Sequence, residues 1–120
     1  MKLLTRAEEQ VMKVLWDLGQ GLLMEIVDQM PEPKAHKNTV ATILKTLVEK
    51  GFVEIESLGR IHRYHPIFSR DEYSKSSLTN LAKGYFEGSF SKVVSFLVEE
   101  NKLTIKEIEM LLSELKKRDS

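Results

Sequence analysis

The chain has 120 residues, 42% of them hydrophobic and 30% charged, and its 18 basic and 18 acidic side chains give zero net charge. This composition predicts one domain, or one small domain with an appendage. The absence of cysteine excludes disulfides and thiolate metal sites and favours a cytoplasmic protein. No apolar run is long enough to span a bilayer and the start lacks a signal sequence, so no membrane insertion is expected.

The first two helices of the chain are predicted from their capping and breaking residues. Thr5 and Glu8 form a T-x-x-E capping box, and apolar residues then recur at helical spacing as far as Leu18, where two glycines end the helix. A short second helix is predicted over residues 24–30, and two prolines terminate it. The short turn that follows is what a helix-turn-helix requires.

A third helix is predicted within residues 36–52, begun by a cap at His36 or Asn38 and ended by Gly51. Its apolar residues recur at i, i+3, i+4 and i+7 and form one face: Val40, Ile43, Leu44 and Leu47. The opposite face is polar and mildly basic, which suits base edges and phosphates of a major groove. We predict these DNA contacts on the third helix: Lys37, Asn38, Thr39, Thr42, Lys45 and Thr46. A merely solvated outer face is the alternative.

A β-hairpin is predicted after the third helix, with alternating strands over residues 53–57 and 61–65 and Gly59 in the turn. Such a hairpin would be the wing of a winged helix. Arg60 at its tip and Arg63 are predicted to contact a phosphate or the minor groove. A solvated loop arginine is the alternative. The surroundings are locally basic, since residues 33–48 and 57–70 contain no acid.

Three further helices are predicted in the second half, over about residues 70–86, 89–99 and 104–117. They are too few to build a good isolated core, so much of their apolar surface needs a partner. The simplest partner is the same region of a second chain, and the alternative is the first half of its own chain. We predict these dimer contacts: Leu81, Tyr85, Phe90, Val94, Leu97, Ile105, Ile108, Leu111, Leu112 and Leu115.

The sequence therefore predicts a mainly α fold with a small β-hairpin wing. An N-terminal winged helix-turn-helix would occupy residues 1–72 and a three-helix dimerisation region residues 73–120.

Catalysis and metal binding have no candidate residues in this sequence. His62 and His65 are three apart on a predicted strand and face opposite sides, which is poor geometry for a shared metal. No nucleophile elbow, P-loop or glycine-rich phosphate motif occurs. We therefore predict no enzyme activity, no metal and no cofactor.

Four stretches, residues 4–16, 38–54, 59–67 and 86–115, resemble the penicillinase-repressor family, BlaI/MecI, whose wider membership includes the copper-responsive CopY repressors. The resemblance spans almost the whole chain. It implies a winged-helix DNA-binding domain, a helical dimerisation domain, and repression of a resistance or stress operon through double-stranded palindromic operator DNA. A winged-helix protein-interaction adaptor without sequence-specific DNA binding is the alternative function.

The chain also departs from the family pattern. CopY-type members bind metal through cysteine pairs, which this chain lacks, so copper sensing is not expected. In the penicillinase repressors a membrane metalloprotease sensor system leads to cleavage of an Asn-Phe bond in the fifth helix, and the aligned bond here joins Phe96 and Leu97. Ala41 and Lys45 depart from the arginine pattern expected in the methicillin-resistance repressors, so the operator sequence does not carry over.

Overall fold

A computed structural model describes residues 3–119 of the chain. Its helices are α1 (Arg6–Leu18), α2 (Leu23–Gln29), α3 (Lys37–Glu49), α4 (Arg70–Tyr85), α5 (Phe90–Glu99) and α6 (Ile105–Asp119). Its strands are β1 (Gly21–Leu22), β2 (Val53–Leu58) and β3 (Ile61–Pro66). Every predicted helix is confirmed to within two residues at each end. The chain divides into two compact units, the first ending at Ser76 and the second beginning at Ser77.

The sheet of the first unit is antiparallel, with strand order β1-β3-β2. The predicted hairpin is confirmed, and its turn consists of Gly59, with φ of 68°, and Arg60. We call this hairpin the wing. Strand β1 was not predicted, because two residues carry no periodicity. The predicted alternation of β2 buries only its first residue: Val53 is 1% exposed, whereas Ile55 remains 38% exposed, since the wing extends beyond the core.

The core of the first unit joins the three helices to the base of the wing. Its most deeply buried side chains are Val11, Met12, Leu15, Ile26, Val40, Leu44, Leu47, Phe52 and Val53. Burying each large apolar side chain stabilises the fold by about 1.5–3 kcal/mol. Three of the four apolar residues predicted to form the inner face of α3 are in this set, and Ile43 packs against it. The rotation of α3 about its own axis is therefore fixed by packing.

Tyr73 of α4 belongs to the core of the first unit. Its ring centroid lies 5.8 Å from those of Trp16 and Phe52. Its hydroxyl donates a hydrogen bond of 2.9 Å to Glu9 and accepts one of 3.3 Å from the Leu4 N–H. A division of the chain after residue 72, as the sequence predicts, would therefore separate Tyr73 from the side chains that it packs against.

A partly buried ion pair joins the start of α1 to the end of α3. The Lys50 Nζ donates to Glu8 Oε1 at 2.6 Å, and the same carboxylate oxygen accepts from the Thr5 N–H at 2.8 Å in the predicted capping box. Burial of the carboxyl opposes its ionisation, but the hydrogen bonds from Lys50 and Thr5 outweigh burial and lower the pKa of Glu8. This pair therefore helps to hold α3 in place.

Replacing Glu8 by Gln is expected to lower the free energy of unfolding by about 1–3 kcal/mol at neutral pH, because Lys50 loses its charged acceptor. Because the pKa of Glu8 is lower in the folded chain than its ordinary value, the ionised carboxylate stabilises the fold at any pH above that ordinary value. This stabilisation is lost as the pH falls through the lowered pKa. The difference between variant and wild type should therefore shrink on acidification in urea titrations at several pH values. Glu72→Gln changes the equivalent but exposed capping box of α4 and should cost less. A pH-independent difference would contradict an ionic role for Glu8.

The second unit consists of the end of α4 with α5 and α6. Ala82 is buried, and its carbonyl accepts from the Gly88 N–H at 2.8 Å in the turn before α5. The rings of Phe86 and Phe96 meet edge to face with centroids 5.5 Å apart. In the part of this unit that the structure describes, no side chain of α5 or α6 is buried.

The residues predicted to form the dimer are largely uncovered in the single chain. Leu97 and Ile108 are half-buried, and the others are exposed. Tyr85 is the most open, at 81%. These exposures leave the dimer contacts a prediction. Within residues 3–119, no helix combines the length and the apolar character that crossing a bilayer requires.

Candidate nucleic-acid interface

Helix α3 begins at a histidine cap. The Nδ1 atom of His36 accepts a hydrogen bond of 3.1 Å from the Asn38 N–H, which identifies His36 as the cap and decides between the two residues that the sequence offered. The side chain of Asn38 is therefore not used as the cap and remains exposed. The first turn contains no acid, so nothing there repels an approaching phosphate.

The side of α3 that faces away from the core carries the predicted DNA contacts. We call five of its exposed residues the outer face of α3: Lys37, Asn38, Thr39, Thr42 and Lys45. The acidic Glu49, in the last turn of the helix, is exposed on the same side. Thr46 is half-buried at the edge of this face. Because the opposite stripe is buried, the helix presents the outer face as a fixed set of short polar and two basic side chains. This is the shape and chemistry that direct readout in a major groove requires.

Two threonines of α3 use their hydroxyl groups inside the helix. Thr42 Oγ1 donates to the Asn38 carbonyl at 2.9 Å, and Thr46 Oγ1 donates to the Thr42 carbonyl at 3.2 Å. A threonine bonded in this way keeps its methyl group and its acceptor lone pairs for an outside contact. At Thr42 these would suit a thymine methyl group or the amino group of cytosine or adenine.

The wing is fixed to the end of α3 by the chain that joins them. Gly51 has φ of 82° and ends the helix as predicted. The Phe52 N–H then donates to the Leu47 carbonyl at 2.9 Å, and the Phe52 carbonyl accepts from Ile67 at 2.8 Å. Both ends of the hairpin are thereby held to the helix. The base of the wing is therefore anchored to the end of α3.

The basic residues differ in whether their charge is already compensated. In the described part of the chain, Lys37, Lys45 and Arg60 have neither an ion pair nor a side-chain hydrogen bond. By contrast, Arg70 bonds Asp17 Oδ1 at 2.5 Å and Lys34 donates to a backbone carbonyl. In the described part of the two basic segments, Arg63 and Arg70 have carboxylate partners and Lys34 keeps its charge on a neutral carbonyl. Lys37, Lys45 and Arg60 are therefore the three cations whose side chains are wholly available for phosphate binding.

Arg63 has a carboxylate partner that the sequence analysis did not pair with it. Its guanidinium lies 3.1 Å from Glu56 Oε1, and His65 Nε2 lies 3.6 Å from the other oxygen of Glu56. The strand register places Glu56 directly opposite Arg63. Counting back from the two-residue turn at Gly59 would have revealed this pair. The acid reduces the positive charge that Arg63 can offer to DNA.

No metal centre is assembled from the side chains described. Within residues 3–119, no three His, Asp or Glu side chains lie close enough together to hold an ion. His62 and His65 fall on opposite faces of β3, as their cross-strand partners Ser57 and Glu54 indicate.

Comparisons with known proteins match this chain to one family. The family model described as penicillinase repressor matches residues 4–117. The methicillin resistance regulatory protein MecI of Staphylococcus aureus (strain N315) is 24% identical over 116 residues, which cover 96% of this chain and 94% of MecI. The penicillinase repressor of Bacillus licheniformis is 25% identical over 116 residues, which cover 93% and 91%. A solved CopR repressor structure shares 36% identity at a TM-score of 0.48, over 57% of this chain and 100% of that one.

Proposed function

The chain belongs to the penicillinase repressor family, and we propose that it acts as a homodimer on the palindromic operator of a resistance or stress operon. Members of this family are transcriptional repressors that bind DNA and are not enzymes. The two relatives named above, a methicillin resistance regulator and a penicillinase repressor, support the class of operon. Cleavage of the dimer region, prompted by a membrane sensor protease, is part of the proposal.

The observation that carries the proposal is the outer face of α3. It is polar and basic over residues 37–45, the exposed acid Glu49 lies beyond it in the last turn, and the buried stripe behind it fixes its orientation. Arg60 adds an uncompensated cation at the tip of the wing. Together these features support insertion of α3 into a major groove while the wing contacts the neighbouring backbone.

The second unit supports the dimeric part of the proposal. Its helices leave large apolar side chains exposed, among them Phe90, Ile105 and Leu112 at 50% or more. A twofold axis would bring two copies of this surface together and bury it. The same axis would place two α3 helices on two half-sites, which accounts for a palindromic operator.

Replacing Thr39 or Thr42 by Ala is expected to cost about 1–3 kcal/mol on the operator and little on unrelated DNA, because both residues would contact bases. Mobility shifts against the DNA upstream of the protein's own gene, with a scrambled duplex alongside, measure both quantities. Thr42→Val keeps the shape and a methyl group and tests whether Thr42 makes an apolar contact. Unchanged operator affinity in both alanine variants would mean that α3 does not read the sequence.

Replacing Arg60 by Gln is expected to weaken binding to all DNA and to flatten the dependence of log K on log salt by about 0.9 for one lost phosphate contact. Arg63→Gln is the matched control on the same hairpin, and it should have the smaller effect because Glu56 already compensates Arg63. Salt titrations on operator and scrambled duplexes provide both slopes. If Lys45→Glu combined with Arg60→Glu left DNA binding intact, the chain would be an interaction adaptor rather than a repressor.

A further inference from the structure

A cavity of about 440 Å³ lies beside the wing, between the start of α2 and the part of β3 nearest the turn. Five apolar side chains form most of its wall: Leu22, Leu23, Met24, Ile61 and Tyr64. Its volume is within the range of sites that bind small organic molecules. All of these residues belong to the first unit, so the cavity is a feature of the winged helix itself.

The shortness of β1 creates this cavity. The strand pairs only with Arg63 and Tyr64 of β3, and the chain then turns away into α2. Beyond that point the edge of β3 has no neighbouring strand on the β1 side. Met24 and Ile61 are consequently left 50% and 53% exposed, although they lie in a concave wall rather than on a convex surface. Exposed apolar side chains in a concavity favour an apolar ligand.

The cavity has two basic groups in its lining, Arg60 and His62, and no carboxylate lines it. The hydroxyl of Tyr64 is its other polar side-chain group. In the described part of the chain, neither basic side chain has an ion pair or a hydrogen bond. A guanidinium presents a planar pair of donors that matches a carboxylate.

We propose that this cavity binds a small organic carboxylate whose aromatic or short aliphatic body rests on the apolar wall while its carboxylate pairs with Arg60. Charge complementarity decides the class of ligand, because the lining offers positive groups and no negative one. A peptide strand fits less well, since the open edge of β3 next to the cavity spans only Ile61 and His62. The cavity would thus be an effector site within the DNA-binding unit.

The consequence for repression rests on the proposed function, in which Arg60 contacts operator DNA. A carboxylate bound to Arg60 would remove the uncompensated charge that the wing offers to a phosphate. Ligand and DNA would therefore oppose each other, and each would weaken the other's binding by the same factor. Binding of the carboxylate itself requires no DNA and can be measured separately.

The test uses 3-phenylpropionate and its uncharged analogue 3-phenylpropanamide, added to the full-length ¹⁵N-labelled chain without DNA. We expect saturable shifts of the amide signals of residues 22–24 and 60–64, with the acid binding roughly tenfold more tightly than the amide. Arg60→Gln should abolish the preference for the acid over the amide, while binding of the amide is retained. Met24→Gln should weaken both probes, because it replaces part of the apolar wall. The spectra of the variants also report whether they remain folded.

Equal affinity for the acid and the amide, or shifts confined to α5 and α6, would overturn the proposed site. The coupling is tested by adding the acid to the operator complex, where it should lower DNA affinity in the wild type and not in Arg60→Gln. Saturated binding of the acid with unchanged operator affinity would overturn the coupling. Failure of the chain to bind operator DNA would overturn the proposed function and would leave the probe result intact, so the two failures are distinguishable.

Discussion

A chain ended after Ser76 is expected to be a folded monomer that binds a palindromic operator about 10²–10⁴-fold more weakly than the full chain. The truncation removes every residue of the predicted dimer surface and retains the whole first unit. The second half-site would then be bound by an independent molecule, so the advantage of a linked pair is lost. Affinity for an isolated half-site should remain close to the intrinsic value of one winged helix.

The matched control is a chain ended after Glu72, four residues shorter. It lacks Tyr73, whose ring packs against Trp16 and Phe52 and whose hydroxyl bonds Glu9. Loss of a buried aromatic side chain costs about 3–5 kcal/mol, a large part of the usual stability of a small domain. We therefore expect the shorter chain to be partly or fully unfolded.

Light scattering gives the oligomeric state of both truncated chains, and thermal unfolding gives their stability. Trp16 is the only tryptophan and lies beside Tyr73, so its fluorescence reports directly on that contact. A dimeric chain ended after Ser76 would locate the dimer surface in the winged helix instead. Equal stability of the two chains would mean that Tyr73 contributes little to the first unit.

The sequence predicted the six helices and the β-hairpin of this fold because each of them carries a local signal, whereas the two-residue strand β1 carries none. The capping boxes at Thr5, Ser69 and Thr104 begin three of the helices, and the buried stripe of α3 has helical spacing. The membership of Tyr73 could not be predicted in the same way. The local pattern places Tyr73 in α4, but its hydroxyl bonds Glu9, 64 residues earlier, and its ring packs in the core of the first unit. No local periodicity indicates a contact between residues so far apart in the sequence.

The candidate interface was predictable in its residues and less so in its charges. Helical periodicity alone placed Thr39, Thr42 and Lys45 on the outer face of α3. Both Arg60 and Arg63 were predicted from the sequence to contact DNA. The cross-strand register, however, places Glu56 opposite Arg63 and gives that arginine a carboxylate partner. The effector cavity had no signal in the sequence, because it arises from the early end of β1 and not from any motif.

Cleavage of the bond between Phe96 and Leu97 is the other change from which we expect a large effect. The bond lies in the last turns of α5, where the Phe96 carbonyl accepts from the Glu100 N–H at 3.0 Å and the Leu97 carbonyl from the Lys102 N–H at 2.9 Å. A protease needs an extended segment, so these turns must open first. In the single chain the side chains of α5 are not buried, so opening would disrupt little beyond the ring contact of Phe96 with Phe86. In the proposed dimer, opening would also break the contacts predicted for Phe90, Val94 and Leu97.

The consequence of the cut can be tested without knowing the protease. A chain ended after Phe96 lacks α6 with Ile105, Ile108 and Leu111, each of which would stabilise the dimer by up to about 1.5–3 kcal/mol if fully buried. We expect it to be monomeric and to bind the operator as weakly as the chain ended after Ser76. A chain ended after Leu115 keeps all the predicted dimer contacts of α6 and should remain dimeric, which controls for truncation itself. A dimer that survives loss of α6 would contradict this mechanism.

In cells, a cell-wall antibiotic should relieve repression at the same time as a fragment ending at Phe96 appears. Mass spectrometry of the undigested protein measures this fragment. Leu97→Pro would break α5 and so confound the result. The better variant is Leu97→Ile, which keeps the size and apolar character of the side chain and adds a β-branch beside the bond. If cleavage drives induction, that variant should yield less fragment and weaker derepression in proportion. Because Leu97 is also a predicted dimer contact, the oligomeric state and operator affinity of the variant before induction are measured as the control. Full derepression with the repressor still intact would exclude cleavage and would direct attention to a ligand-driven release, for which the cavity beside the wing is the available site.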